Sequence, residues 1–173
     1  MKASRALLLV LLFVAVAFGA WKLFAPHGPA VGNHLTVYYA KLDGNTLGTW
    51  PVTLRAQQPG ESDAEHLHNT VLYAAVQAVA GPPSDVSAIR FPPGTHVLGV
   101  SVNGSTATVD LSKEVTSQSG GTFGENGEFK ELVYTVTGVP SIDAVQVTID
   151  GSRVVTLPGG HVELDTPLRR SDF

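Results

Sequence analysis

The chain predicts an α+β fold. It reads as a two-layer sandwich in which a mixed, mostly antiparallel sheet carries two helices on one face, preceded by a single N-terminal transmembrane helix. Three observations lead there. Extended and helical segments alternate along the chain, so the domain needs both kinds of layer. Two of the connections between extended segments are tight Asn-Gly and Asp-Gly turns, which close antiparallel hairpins. Two further segments carry apolar residues at three- and four-residue spacing, the signature of helices with one buried face.

The N-terminal segment, residues 1–25, begins with Lys2 and Arg5 and continues with sixteen uncharged residues, 6–21. At about 1.5 Å per residue these make roughly 24 Å of helix, and counting to Phe24 with Lys22 snorkelling gives roughly 28 Å, enough to cross a bilayer core. A cleaved signal peptide ending at the small residues Ala15 and Ala17 is the competing reading. The apolar residues Phe18, Trp21, Leu23 and Phe24 beyond that point favour an uncleaved anchor, with Trp21 at the membrane interface. Residues 6–24 thus predict a single-pass protein of the cell membrane, N-terminus cytoplasmic and the rest extracytoplasmic. Residues 26–33 have the Pro/Gly chemistry of a linker, and residues 34–170 form the predicted domain.

Within that domain, residues 35–39 alternate and are rich in β-formers, and residues 52–55 resume extended structure after Asp43-Gly44-Asn45, which predicts a hairpin over 35–55. Residues 62–81 predict a helix, because Ser62 and Glu65 have capping-box spacing and Leu67, Val71, Ala74, Ala75 and Ala78 form a stripe. Asn103-Gly104 predicts a tight hairpin with Val102 opposite Ser105, Val100 opposite Ala107 and Leu98 opposite Val109. Leu98, Val100, Val102, Ala107, Val109 and Leu111 then share a buried face, leaving Ser101, Thr106, Thr108 and Asp110 on a wet one. Residues 116–127 read as a Ser/Gly-rich loop, followed by a helix carrying Phe129, Leu132, Val133 and Val136. Residues 144–149 read as a strand that Asp150-Gly151 turns into a second hairpin through Arg153, Val154 and Val155.

Composition bounds the function. From residue 28 onward eight basic residues face fifteen acidic ones, a net charge of −7, so the exported part repels phosphate backbones and nucleic acid is not an expected partner. The chain has no cysteine, which removes disulfides, thiolate metal sites, a cysteine nucleophile and a lipidation site. His66 and His68 are the closest histidine pair, but two positions apart on a helix their side chains diverge by about 200°, whereas metal-binding helices place histidines four apart. His96 and His161 follow turns as ordinary surface or strand residues.

No motif of nucleophilic catalysis is present, and no cofactor, metal or catalytic residue is predicted. Asp110, Glu114, Glu125, Glu128 and Glu131 offer carboxylates of the kind glycoside cleavage uses, but read more simply as solvated helix and loop faces. The glycines at 120, 121 and 124 lack the lysine of a phosphate loop and read as a mobile connection, whose functional alternative is a partner-contacting loop carrying Phe123.

The order and spacing of several segments resemble the GerMN domain of sporulation and germination protein GerM and related exported proteins. The residues that carry the resemblance are 35–39, Gly81-Pro82-Pro83, and 89–111 with its Pro-Pro-Gly-Thr and Asn-Gly. They continue with 131–137, 145–151 and Pro167-Leu168-Arg169. The resemblance covers about residues 34–170 and implies a fold similar to the ring-building motif of envelope assembly complexes, with no catalytic residues to carry over. One copy is present where some family members have two. The expectation is a membrane-anchored, non-catalytic envelope protein acting through envelope proteins or self-association. The alternative is an exported module binding a cell-wall or small extracellular ligand on the wet sheet face.

Overall fold

The computed structural model describes residues 34–117, 121–158 and 160–173. The predicted membrane span at 6–24 and the linker at 26–33 lie outside the described residues. Among the described residues no helix is long and apolar enough to cross a membrane.

Strand β1 (His34–Ala40) pairs antiparallel with β2 (Leu47–Thr53), setting Val37 opposite Trp50. Helix α1 (Asp63–Ala80) follows, then the hairpin of β3 (Val97–Asn103) and β4 (Thr106–Leu111), helix α2 (Gly121–Val136) and β5 (Ala144–Ile149). Short 3-10 turns lie at Lys113–Thr116 and Arg170–Asp172. The fold is α+β as predicted, but its strands form two sheets, β1-β2 and β3-β4-β5, and not one. The cause lies at β1, whose outer edge is filled by helix side chains and a loop and has no place for a third strand. In the three-stranded sheet β3 and β4 run antiparallel while α2 carries the chain over to a β5 parallel to β4, so this sheet is mixed.

α1 begins where the sequence places it. Ser62 Oγ accepts from the N–H of Glu65 at 3.2 Å and Glu65 Oε2 accepts from the N–H of Ser62 at 2.9 Å, a reciprocal cap on two otherwise orphaned donors. Gly81 ends the helix with φ of 72°, a conformation that side chains resist.

Two hairpins differ from expectation. In the first, Asn103 pairs with Thr106 and the central residues are Gly104 and Ser105, so Val102 faces Ala107 and Val100 faces Val109. Only Gly104 has a positive φ, 58°, which is the demand of a II′ turn, where glycine takes the first central position. The partner shifts by two residues, which preserves the faces. A bulge between Val97 and Gly99 then turns Leu98 outward, where it is 53% exposed, and gives Val97 its place opposite Leu111. In the second, Asp150 and Gly151 do turn the chain with positive φ, but pairing stops at the Ile149–Ser152 bridge, and residues 153–155 form no strand. The outer edge of β5 is instead taken by Leu168, bonded in both directions to Val145.

The core joins Leu35 and Val37 of β1, the Val71–Ala74–Ala75–Ala78 stripe of α1, Ala107, Val109 and Leu111 of β4, Val145 and Val147 of β5, and Phe129, Leu132, Val133 and Val136 of α2. Phe129 meets Phe91 edge-on at 6.3 Å between ring centres. α2 approaches β1 closely at Gly127, where a Cβ would lie 3.0 Å from that of Ala40 and 2.6 Å from Cδ1 of Ile89. This helix starts at Gly121, inside the stretch predicted to be a loop, because Gly124, Glu125, Gly127 and Glu128 are packed and not solvated.

Candidate functional site

The carboxylates of α2 are the residues whose placement departs furthest from expectation. Glu125, Glu128 and Glu131 are buried, not on solvated faces, because α2 is packed by α1, β1, β5 and the C-terminal segment. Glu131 reaches β1: its Oε2 accepts from the N–H of Ala40 at 3.0 Å. One turn on, Thr135 Oγ1 accepts from the N–H of Tyr38 at 2.9 Å, and the N–H of Ile89 donates to the carbonyl of Ala40 at 2.9 Å. These three bonds satisfy the outward groups of Ala40 and the N–H of Tyr38 as a neighbouring strand would.

Glu125 works at the other end of the helix, accepting from the N–H of His161 at 2.7 Å and of Val162 at 3.3 Å, and so tethers the C-terminal segment. Burial, with the neighbouring Glu125 adding to it, pushes the Glu128 carboxyl up to about 8. Burial pushes Glu131 up to about 9, against the pull of the Ala40 N–H, and the charge of Glu128 adds to the rise. Both are therefore protonated at neutral pH. Among the described residues, Glu128 Oε2 and Glu131 Oε1 have no hydrogen-bond partner.

Arg170 closes the opposite flank of α2. Its guanidinium stacks 5.0 Å from the Tyr134 ring centre and 5.6 Å from that of Tyr38, donates to the Tyr134 carbonyl at 2.7 Å, and through Nε donates to Thr137 Oγ1 at 2.7 Å.

Asp110 has a structural task as well. Its Oδ1 accepts from Thr148 Oγ1 at 2.7 Å and from the N–H of Gly151 at 2.8 Å, locking β4 to the turn after β5. The sheet face predicted to be wet is so only in part. Ser101 is exposed and Thr106 and Thr108 are half-buried, whereas Gln146 and Thr148 of β5 are covered, and Gln146 Nε2 donates to the Leu164 carbonyl at 2.6 Å. The C-terminal segment, whose Val162 and Leu164 the sequence offers for packing, covers that half. Glu114 sits apart on the 3-10 turn, its carboxyl held below the usual range by Ser112.

A second polar centre lies before α1, in a surface groove of about 610 Å³ lined by Arg55, Glu61, Glu65, His68 and Asn69 among others. Glu61 is its hub, accepting from Arg55 at 2.6 Å, the N–H of Gln58 at 2.9 Å and Asn69 at 2.8 Å, with His66 Nδ1 at 3.3 Å. The Gln58 and Asn69 bonds, above all, hold its carboxyl down to about 2. His66 turns to Glu61 while His68 lines the groove, and among the described residues no cluster of three or more His, Asp or Glu could hold a metal. His96 is held through its backbone, donating to Ser112 Oγ at 3.0 Å. Phe123 stands in the first turn of α2, 67% exposed, with its ring beside Gly44 of the β1-β2 turn, where Leu42 is also exposed.

Residues 36–155 match the profile of the Germane family, described as sporulation and spore germination. The chain belongs to the Germane family. Solved structures share its fold. The tandem GerMN domains of the sporulation protein GerM from Bacillus subtilis match with a TM-score of 0.58 at 22% identity over 82% of this chain and 47% of that one. This Germane chain thus spans about half of the tandem protein. The first GerMN domain of the same protein matches at 0.54 and 22%, covering 80% of this chain and 98% of that domain. A candidate lipoprotein from Clostridium perfringens matches at 0.57 and 20%, covering 82% and 89%. No curated protein matches.

Proposed function

We propose that this Germane protein is a membrane-anchored, non-catalytic domain of the cell envelope that acts by contact with envelope proteins or with further copies of itself. Residues 6–24 hold it in the membrane with the domain on the extracytoplasmic side, in a family linked to sporulation and germination. The observation that carries this reading is the use made of the acidic residues. Glu125, Glu131 and Asp110, three of the five carboxylates the sequence offers for catalysis, each bind backbone N–H groups and fasten one element to another. A buried carboxylate whose oxygen accepts from the backbone of another element has a structural task there. The similarity to a candidate lipoprotein supports an envelope setting, and the apolar side chains of Leu42, Leu98 and Phe123 on the surface support protein contacts.

Crosslinking in intact membranes, followed by intact-mass measurement, tests the reading. The expected result is a carbonate-resistant membrane protein with an unprocessed N-terminus and a recurring crosslinked neighbour. A soluble product starting near Phe18 without neighbours would overturn it, and release of fragments from purified peptidoglycan would overturn its non-catalytic part.

A further inference from the structure

Each sheet of this fold has two outer edges, and the chain treats the four differently. The β1 edge is met at Tyr38 and Ala40 by Thr135, Glu131 and Ile89. The β5 edge is taken at one end by Leu168 and at the other by the Ser152 turn. β2 carries Pro51 opposite Thr36. Because the N–H groups of Tyr38 and Ala40 point toward α2, the even-numbered residues of β1 make no ladder bond to β2, so Pro51 faces outward and denies an incoming strand a donor.

β3 has none of these protections. It is the end strand of its sheet and holds no charged residue and no proline from Val97 to Asn103. Among the described residues no hydrogen bond reaches its outer side. The II′ turn makes Asn103 and Thr106 the closing hydrogen-bonded pair, and by alternation Ser101 also bonds toward β4. The N–H and C=O groups of Val100 and Val102 therefore point away from the sheet. Soluble proteins normally blunt such an edge with lysine, proline, a bulge or a cover; the bulge of β3 lies before Val100, and the uncharged edge that follows it is a template for another strand.

We propose that β3 is the assembly edge of the protein, pairing antiparallel with β3 of a second copy about a two-fold axis through Ser101. This rests on the contact reading above and names its surface and its partner. The strand is complementary to itself: with Ser101 facing Ser101, Val100 and Val102 of one copy exchange about four backbone hydrogen bonds with Val102 and Val100 of the other. No like charges meet along the paired strands, although the domain as a whole is acidic, because β3 carries no charged residue. A two-fold axis normal to the sheet keeps both copies of α1 on one face. α1 lies against β3 more than against β4, so its two copies come near the axis. Anchoring at residues 6–24 confines copies to one surface, which raises their effective concentration and lets a short edge contact suffice.

The absence of native cysteine makes the test direct. Full-length chains carrying Ser101→Cys, Asn103→Cys or Ser171→Cys, all at exposed positions, are treated in their membranes with a short bis-maleimide. The proposed register sets the two Ser101 Cα atoms about 4.5 Å apart and separates the two Asn103 residues by about four strand positions, roughly 13 Å. Ser101→Cys should give a strong species at twice the 18.2 kDa chain mass, with Asn103→Cys and Ser171→Cys many-fold weaker. Equal weak yields at all three positions would overturn the β3 edge. In that case a lysine-directed crosslinker on the unmodified protein separates the two claims: trapped neighbours leave the contact reading standing, and none removes both. A Ser101→Cys conjugate of some other mass would overturn the second copy in favour of a strand from a different envelope protein.

Discussion

The two helices face similar demands and answer them in opposite ways. α1 has one buried stripe of small residues, Val71, Ala74, Ala75 and Ala78, and keeps Asp63, Glu65, His68 and Asn69 in water. α2 is covered on nearly every side, yet it carries three glutamates and a lysine into the interior. The difference teaches that a helix's polar residues need not mark its solvent face when a neighbouring strand has orphaned backbone donors. α2 stands in for a strand beside β1, and its side chains must bring acceptors to do so.

The largest expected effect tests the packing side of this contrast. Phe129→Ala on α2 removes a fully buried ring set against Phe91 and should cost about 3–5 kcal/mol. Tyr73→Ala on the outer side of α1 should change stability by no more than about 0.5 kcal/mol. Urea unfolding of the detergent-solubilised chain compares them, and equal costs would mean that α2 is not the central element.

Next comes pH, where the two helices should respond in opposite directions. Glu128 and Glu131 ionise near 4.5 in the unfolded chain and near 8 and 9 in the fold. Between those limits the folded state holds the extra protons. Their contribution is therefore complete below about pH 4.5 and falls as pH rises, by about 1 kcal/mol per pH unit for each group, and levels off above the folded values. Glu131→Gln keeps an acceptor for the Ala40 N–H without a charge, so it should flatten the alkaline slope. Glu61 beside α1, held near 2, contributes stability above about pH 4.5 that is lost as pH falls through about 2. Stability curves of the wild type and Glu131→Gln between pH 5 and pH 9 that run parallel would break this half of the comparison.

How much of this was legible in the sequence follows the same division. α1 could be read almost residue for residue, since its cap, stripe and Gly81 stop are local signals. So could the β3-β4 hairpin, except that Asn103-Gly104 suggested a I′ turn and the chain uses Gly104 in a II′ turn, one position later. That choice depends on the register of the whole hairpin. The separation of the strands into two sheets and the burial of Glu125, Glu128 and Glu131 were not legible, because both depend on long-range bonds, from Tyr38 to Thr135, Ala40 to Glu131 and His161 to Glu125. The one available clue was weak: α2 sets its glutamates among Phe129, Leu132 and Val133 with only Lys130 to answer them, and that lysine donates to the Asn45 carbonyl at 2.9 Å.

A matched pair of threonines sharpens the point. Thr135 of α2 accepts from a strand 97 residues away, whereas Thr70 of α1 donates to its own helix at the His66 carbonyl, 2.8 Å away. Thr135→Val preserves shape but leaves the Tyr38 N–H without its partner and should cost about 1–2 kcal/mol. Thr70→Val should stay within about 0.5 kcal/mol, because the carbonyl it releases still accepts the helix's own bond. Comparable losses at the two sites would deny α2 its special role.

The smallest effect belongs to α1 alone. Ser62→Ala removes one half of the reciprocal cap, the acceptor for the Glu65 N–H, and leaves Glu65 free to swing away from the Ser62 N–H. The cap is exposed, so water replaces part of what is lost, and the cost should be about 1 kcal/mol. Because α1 is held to the core mainly through its middle and C-terminal turns, the loss should remain local. Amide exchange should accelerate at residues 63–66 and stay unchanged at residues 129–136 of α2. Acceleration in both helices would mean that the first turn of α1 is coupled to the interior that α2 organises, and that the two helices answer as one unit.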